Sequence, residues 1–422
     1  VQHDFACRHT DESGKRGDVI LISIVILTRN QLPLTQACLE SIRRYTREPY
    51  ELILVDNGST DGTLDYLRSQ PDVILIENGE NKGFAKGCNQ GFERSGGDYI
   101  MFLNNDTVVT ENWMTNLLRA LDSDPRIGMV GPVTNYSSGH QQITVTYSSL
   151  DDLDDFARQQ REIYAGIYTV VRRLVGFCLL TRRSVLEEVG LFDEVYGLGN
   201  YEDDDLSLRM LRSGYGMMVA QDSFIHHVGH ATTHHELPDS NLAQLLERNR
   251  QVATAKWGGN IHQLIYKPEL SVAACLVVMN AEDSLRDTLD SLTNDVEKII
   301  VVDLGSTDAT SETARSYPIE FYSLTEASNK IHTAYEVFEN IKSEYVLWLY
   351  QGDVLSDKDI RIVRGLKFSA EGTEDMISVD FCEGVNKHEY LAPIARRYMI
   401  KRDLAARKLS TILFGITVEK SS

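Results

Sequence analysis

Glu51–Gly62 reads ELILVDNGSTDG, and Lys298–Asp308 reads KIIVVDLGSTD. In both, a short apolar run rich in β-branched residues closes on an aspartate, followed by Gly-Ser-Thr-Asp. Such a run, bounded by turn residues, is a buried strand, and the Gly-Ser-Thr-Asp segment supplies a turn and a helix N-cap. Upstream of the first copy, Ser23–Thr28 (SIVILT) is a second strand of this kind, and Gln36–Arg44 has helical spacing through Ala37, Leu39 and Ile42. Downstream, Leu64 and Leu67 begin a helix, Val73–Glu77 is a strand, Asn81–Phe84 enters another helix, and Tyr99–Leu103 is a further strand. Strands alternating with helices predict parallel β-α-β units and a doubly wound, mainly parallel α/β sandwich.

The second copy has the same surroundings. Leu270–Met279 reads as a strand, Ser284–Leu292 as a helix, and the strand Tyr345–Leu349 runs into Gln351-Gly352-Asp353. Asp303 follows Asp56 by 247 residues, and Asp353 follows Asp106 by 247. Two motifs sharing one offset predict a duplicated domain. Gly258, Gly259, Asn260 and Pro268 break helical continuation between the copies. The expected organisation is an N-terminal tail (1–18), a first domain (19–262) and a shorter second domain (268–422). The absence of an initiator Met reads as a trimmed or engineered start, and Gly415–Ser422 lacks a clear closing element.

With 62 acidic and 42 basic residues the chain carries a formal charge of −20, which would repel nucleic acid and anionic membrane. A phosphate-bearing ligand must then be held by local devices, such as a metal or backbone amides. No apolar run approaches the ~20 residues of a membrane span, and the start does not read as a signal peptide. The six cysteines (Cys7, Cys38, Cys88, Cys178, Cys275 and Cys382) form no C-x-x-C pair and read as scattered buried thiols of a reducing cytosol. The expected location is cytoplasmic, with peripheral association at the inner membrane face left open.

Ligands of an open parallel sheet bind beyond the C-terminal ends of its strands, where strand order reverses. Asp56 and Asn104-Asn105-Asp106 both directly follow strands. Asp56 can accept a hydrogen bond from a base or ribose, although the rest of its motif makes a turn without any ligand. Asp106 can offer a hard oxygen to Mg²⁺ or Mn²⁺; an Asx-turn ending the strand is the plainer reading. Glu202-Asp203-Asp204-Asp205 opens a helix continued by Leu206, Leu208 and Met210. Acidic residues suit a helix start, yet one of them can also be a general base whose pKa is raised by its neighbours. Asp205 and Arg209 are spaced to pair, leaving Glu202 or Asp203 to face a cleft. His226 and His227 follow a strand as candidate metal ligands. The five histidines between 226 and 235 lack the regular pairing of a zinc site.

In order and spacing, these segments resemble the family 2 glycosyltransferases, inverting enzymes with a GT-A fold. The matching stretches are Ser23–Asn30 (SIVILTRN), Glu51–Gly62, Asn81–Gly91 (NKGFAKGCNQG), Gly97–Thr107 (GDYIMFLNNDT), Gly176–Glu194, Glu202–Arg209 (EDDDLSLR) and His226–Gly229 (HHVG). The resemblance implies that Thr28, Asn30 and Asp56 hold the nucleoside, with Lys82, Gly83, Phe84 and Asn89 on its diphosphate side. Asp106 would be the metal aspartate of a D-x-D motif whose first position is Asn104, followed by Asn105. His227 would complete the metal shell, with His226 the lesser candidate. Asp203 would be the base, Glu202 the second choice, and Gly176 and Phe177 would border the acceptor. The variant motif looks like the branch containing many rhamnosyl-, galactosyl- and N-acetylhexosaminyltransferases of bacterial surface glycans. The implied donor is a UDP- or dTDP-sugar, the acceptor a glycan, lipid-linked or protein hydroxyl, and the cofactor a divalent Mn²⁺ or Mg²⁺ ion.

The second domain also resembles a family 2 core. It has Asn280, and Asp303 and Asp353 as a possible second site, but Gln351-Gly352-Asp353 stands where two acidic residues are usual. It lacks a later run like Glu202–Asp205, and Glu326–His332 lacks the glycines of Asn81–Gly91. A degenerate domain serving acceptor recognition or assembly is the expectation; the alternative is a bifunctional enzyme or polymerase with both domains active. A non-catalytic nucleotide-sugar or glycan-binding protein is the rival of another class. A nucleotidyltransferase would need a basic, Gly-rich loop, and Ser23–Asn30 offers only Arg29.

Overall fold

Strand β1 (Ile22–Thr28) is buried almost throughout, as expected of a central strand covered on both faces. In the computed structural model, which describes residues 20–229, 239–292, 295–323, 342–369, 376–379 and 397–401, it lies between β2 (Tyr50–Asp56) and β4 (Tyr99–Asn104). Both pairings are parallel; Thr28 stands opposite Asp56, and Leu27 opposite Asn104. The strand β3 (Val73–Glu77) continues the parallel half on the far side of β2. Helices α1 (Leu32–Tyr45), α2 (Thr63–Arg68) and α3 (Phe84–Arg94) make the crossovers.

Beyond β4 antiparallel pairings enter the sheet. It runs through β8 (Cys178–Arg182), β6 (Ile127–Thr134), β9 (Gly216–His227) and β5 (Thr107–Val109), and β7 (Tyr168–Val171) pairs with β9. Strand order therefore reverses between β1 and β4, and the ends of these two strands open onto one cleft. Ile24, Ile26, Leu52, Leu54 and Leu103 join Leu39, Ile42, Trp113 and Leu117 in the core beneath it. Each such side chain removed from water is worth about 1.5–3 kcal/mol.

The described residues fall into two compact units, one holding residues up to Leu208 together with Met217–Leu264, the other Arg209–Gly216 and the residues from Ile265 on. In the second unit, β10 (Val272–Val278), β11 (Lys298–Asp303), β12 (Glu320–Ser323), β13 (Tyr345–Tyr350), β14 (Met376–Val379) and β15 (Arg397–Lys401) form a sheet in the order β12-β11-β10-β13-β15-β14. The first four are parallel, and β15 pairs antiparallel with both β13 and β14.

The repeated motif is wired alike in both units. Asn30 has a left-handed φ of 55°, donates its N–H to Ser59 Oγ at 2.8 Å, and accepts the Thr60 N–H on Oδ1 at 2.7 Å. Asn280, with φ 51°, donates to Ser306 Oγ at 2.8 Å and accepts from Thr307 at 2.9 Å. Asp61 caps Thr63 and accepts from Leu32, as Asp308 caps Thr310 and accepts from Glu282. Asparagine tolerates the left-handed region because its short side chain bonds locally. This lacing explains why α1 starts at Leu32, with proline in its first turn, ahead of the boundary read from apolar spacing.

Among the described residues no helix is long and apolar enough to cross a membrane. Cys38, Cys88, Cys178 and Cys275 are free and buried. The tail 1–18, Cys7, Cys382, His230, His234, His235, Glu326–His332 and Gly415–Ser422 lie outside the described residues.

Candidate active site

The cleft at the β1/β4 reversal has a volume of about 1060 Å³. Thr28 and Asn30 from the end of β1, Asn104–Asp106 after β4, Gly176 and Phe177 before β8, Glu202–Asp204 of helix α7 (Glu202–Arg212), and His227 of β9 all line it. Residues from distant parts of the sequence thus meet in one concave surface of the first unit.

His226 and His227 are the last two residues of β9, not the start of a loop, and side chains alternate across a strand. They consequently diverge. His226 Nδ1 meets the Tyr147 hydroxyl at 2.6 Å, away from the cleft wall. His227 Nδ1 lies 2.8 Å from the Tyr136 carbonyl. A carbonyl can only accept, so Nδ1 carries the proton, and in the neutral ring Nε2 presents a lone pair. That nitrogen is 3.3 Å from Asp106 Oδ1, which is buried without a hydrogen-bond partner. Phe177 stacks on the imidazole at 4.9 Å. Asn135 brackets the His227 backbone, accepting its N–H at 2.8 Å and donating to its carbonyl at 3.0 Å. Two electron-rich atoms fixed face to face fit a divalent cation. Among the described residues no group of three or more His, Cys, Asp or Glu side chains converges as a full metal cage. The remaining ligands of such an ion would be water and donor oxygens.

Across the cleft, α7 begins after a tight loop in which Asn200 and Tyr201 have φ of 72° and 80°. Non-glycine residues hold that region only when the surroundings enforce it. Here Asn249, in the helix Asp239–Trp257, donates its buried amide to the carbonyls of Tyr196, Gly199 and Asn200 at 2.8, 2.8 and 3.0 Å. Gly83 meets the same loop so closely that a Cβ would lie 2.0 Å from the Gly197 carbonyl oxygen, which no other residue could accept.

Asp203 is held by two backbone donors, Gly176 N–H to Oδ2 at 3.1 Å and Asp204 N–H to Oδ1 at 2.9 Å. Burial, then the Asp204 charge, push its carboxyl up to about 6 against the pull of Arg173. Glu202 is more deeply affected: burial and the Asp203 charge raise it well above the carboxylate range, and its Oε2 has no partner. Asp205 bonds to Tyr196, Trp257 and Lys256, at 3.1, 2.8 and 2.7 Å.

The other sequence candidates are placed as follows. Thr28 Oγ1 is buried and unpartnered at the cleft. Asp56 lies behind the wall, its Oδ2 accepting from Gly58 and Ser59 at 3.0 Å each and its Oδ1 unpartnered. Phe84 is on the wall, whereas Lys82 and Gly83 are not. Asn89 does not reach the cleft; its amide donates to the Phe192 carbonyl and to Glu194, at 2.9 and 3.2 Å. Asn105 turns to Thr35, donating at 2.9 Å. Arg173, Asn135, Tyr136 and His262 escaped the sequence reading. Asn135 did leave a signal, a polar residue directly after an apolar strand, as Asn104 is; Arg173 and His262 stand in no motif.

In the second unit, Asp303 accepts from the Ser306 N–H at 3.0 Å and Asp353 is buried. Gln351, 247 residues beyond Asn104, has its side chain tied to the backbone on both sides: Oε1 accepts from Met279 N–H at 3.1 Å and Nε2 donates to the Asn280 carbonyl at 3.3 Å.

A mainly parallel sheet with antiparallel pairings entering beside a polar cleft, followed by a second, smaller α/β sheet, is an architecture of the GT-A kind. The chain belongs to the glycosyl transferase family 2, whose family model matches residues 23–190 and again 274–411. It is 28% identical over 255 residues to the N-acetylglucosaminyl-diphospho-decaprenol L-rhamnosyltransferase of Mycobacterium tuberculosis, covering 53% of this chain and 80% of that one. It is 28% identical over 179 residues to the poly-beta-1,6-N-acetyl-D-glucosamine synthase of Staphylococcus aureus, 41% of this chain and 42% of the synthase. A solved mannosyltransferase of Pyrobaculum calidifontis, in complex with GDP-Man and Mn²⁺, superposes with a TM-score of 0.41 at 21% identity, over 56% of this chain and 64% of that one.

Proposed function

We propose that the first domain, residues 19–262, is a metal-dependent inverting glycosyltransferase that moves a sugar from a UDP- or dTDP-linked donor to a glycan, lipid-linked or protein hydroxyl in bacterial surface polysaccharide or glycoprotein synthesis. The observation that carries this reading is the Asp106–His227 pair, two unsatisfied cation ligands 3.3 Å apart, sharing one cleft with the carboxylate of Asp203. A divalent ion held there would neutralise charge developing on the diphosphate leaving group. Thr28 and Asn30 receive the nucleoside, and Asp56, behind the wall, orders the Gly58–Ser59 turn beside them. Asn104 and Phe84 flank the diphosphate.

Asp203 takes the proton of the acceptor hydroxyl. The acceptor oxygen bonds to the anomeric carbon as the bond from that carbon to the diphosphate oxygen breaks, and the electron pair leaves with the nucleoside diphosphate. A base poised near the working pH suits this step, and Asp203 is pushed up to about 6 by burial. Burial and the Asp203 charge raise the Glu202 carboxyl well above the carboxylate range, which favours Asp203 as the base. Gly176 aims the carboxylate through its N–H, and Phe177 borders the acceptor.

The second domain, residues 268–422, is read as degenerate, serving acceptor recognition or assembly. What supports this is Gln351, whose amide is consumed by the Met279 and Asn280 backbone where Asn104 lines the cleft of the first unit. The test is release of nucleoside diphosphate from a panel of UDP- and dTDP-sugars with Mn²⁺, with proton NMR of the anomeric centre of the product. Retained configuration, or activity undiminished in Asp203→Asn, would contradict the reading.

A further inference from the structure

Asp204, the neighbour of Asp203, is buried and faces an arginine and a histidine from separate elements. Its Oδ1 accepts from Arg173 Nε, in the segment between β7 and β8. Its Oδ2 lies 2.9 Å from His262 Nε2, in the helix Ile261–Ile265. Arg173 also donates from Nη1 to Ser138 at 2.9 Å, and its Nη2 is 4.0 Å from Asp203 Oδ2. One guanidinium is therefore shared between two carboxylates, and the imidazole, once protonated, supplies a second positive charge. The other groups facing this cluster are Glu202 and Asp205 on α7, the latter paired with Lys256, and the Tyr201 ring 5.8 Å from His262. The Asp204 hydrogen bond raises His262 above its ordinary value. Burial works to raise Asp204, yet His262 and Arg173 together hold it below the usual range.

We propose that His262 is a positioning residue: by neutralising Asp204 it leaves Arg173 shared with Asp203 and keeps the Asp203 carboxylate ionised near neutral pH. The role rests on the assignment of Asp203 as the base. Without the imidazolium, Asp204 is a buried anion with one counter-ion, and Asp203 feels more of its neighbour's negative charge. His262 is 46% exposed, so water screens part of its field and the effect is moderate.

The test is carboxyl carbon-13 NMR of the full chain with labelled aspartate, the Asp203 signal being identified by its loss in Asp203→Asn. His262→Gln keeps a donor for Asp204 and removes the charge; His262→Lys keeps the charge. The Asp203 midpoint is expected to rise by roughly half a pH unit or more in His262→Gln and to stay near wild type in His262→Lys. At pH 6, that halves the ionised fraction, an about twofold loss of any rate that requires it. A midpoint unmoved in His262→Gln overturns the coupling. Full transfer by Asp203→Asn overturns instead the assignment of the base, a separate outcome that the titration does not mimic.

Discussion

The stability of a Glu202→Gln variant is expected to gain on that of wild type as pH rises. Glu202 is 6% exposed, and burial together with Asp203 raises its carboxyl well above the ordinary range. The folded state thus retains a proton that the unfolded chain releases above about pH 4.3. With more protons bound in the folded state, stability falls as pH rises from the unfolded pKa towards the folded one. The slope is about 1.4 kcal/mol per pH unit, or about 2.7 kcal/mol between pH 5 and 7 if the proton stays on throughout. Glutamine carries no such proton and removes the slope. Its amide adds a pH-independent cost of about 1–3 kcal/mol if its N–H finds no acceptor, so the slope and not the offset is diagnostic. In thermal melts from pH 5 to 7, the melting temperature of Glu202→Gln should gain on wild type by about 5–10 °C across the range. A difference that does not change with pH would refute the claim that Glu202 is held protonated.

The acid limb of nucleoside diphosphate release should fall away below about pH 6, where Asp203 takes up its proton, and a profile flat to pH 5 would remove Asp203 as the base. Asn135→Ala frees the His227 backbone at both ends, and should weaken Mn²⁺ binding roughly 10–100-fold, read by calorimetry in the presence of nucleotide. Unchanged metal affinity would show that the ring is aimed by Tyr136 and Phe177 alone. Asn249→Ala, which removes the three bonds holding Tyr196–Asn200, should lower kcat more than it raises KM, because the loop places Asp203 rather than the donor.

The parallel half of the fold was legible because each strand there is apolar on both faces and ends on a polar turn, a pattern local to a few residues. The antiparallel half was not: β6, β8 and β9 take their order from pairings between residues far apart, such as Met129 with Thr181 and Thr107 with His227. The site divides in the same way. Asp106, Asp203 and His227 stand in recognisable contexts, and the structure gathers them into one cleft. The difference between His226 and His227 turned on which residues β9 includes, since a strand sends neighbours to opposite faces. Asn89 reads as a site residue within NKGFAKGCNQG, yet the first helix turns of α3 carry it towards Phe192 and Glu194. Arg173 and His262 reach Asp204 only through tertiary packing, and no local pattern announces them.

The most direct test of the metal–nucleotide assignment is calorimetric binding of UDP and dTDP, with Mn²⁺ present or chelated, to wild type, Asp106→Ala and Asp353→Ala. Metal-dependent binding to a single site, lost in Asp106→Ala and kept in Asp353→Ala, is the expected result. Binding of either nucleotide that survives Asp106→Ala with its metal dependence intact, or a second site lost in Asp353→Ala, would contradict it.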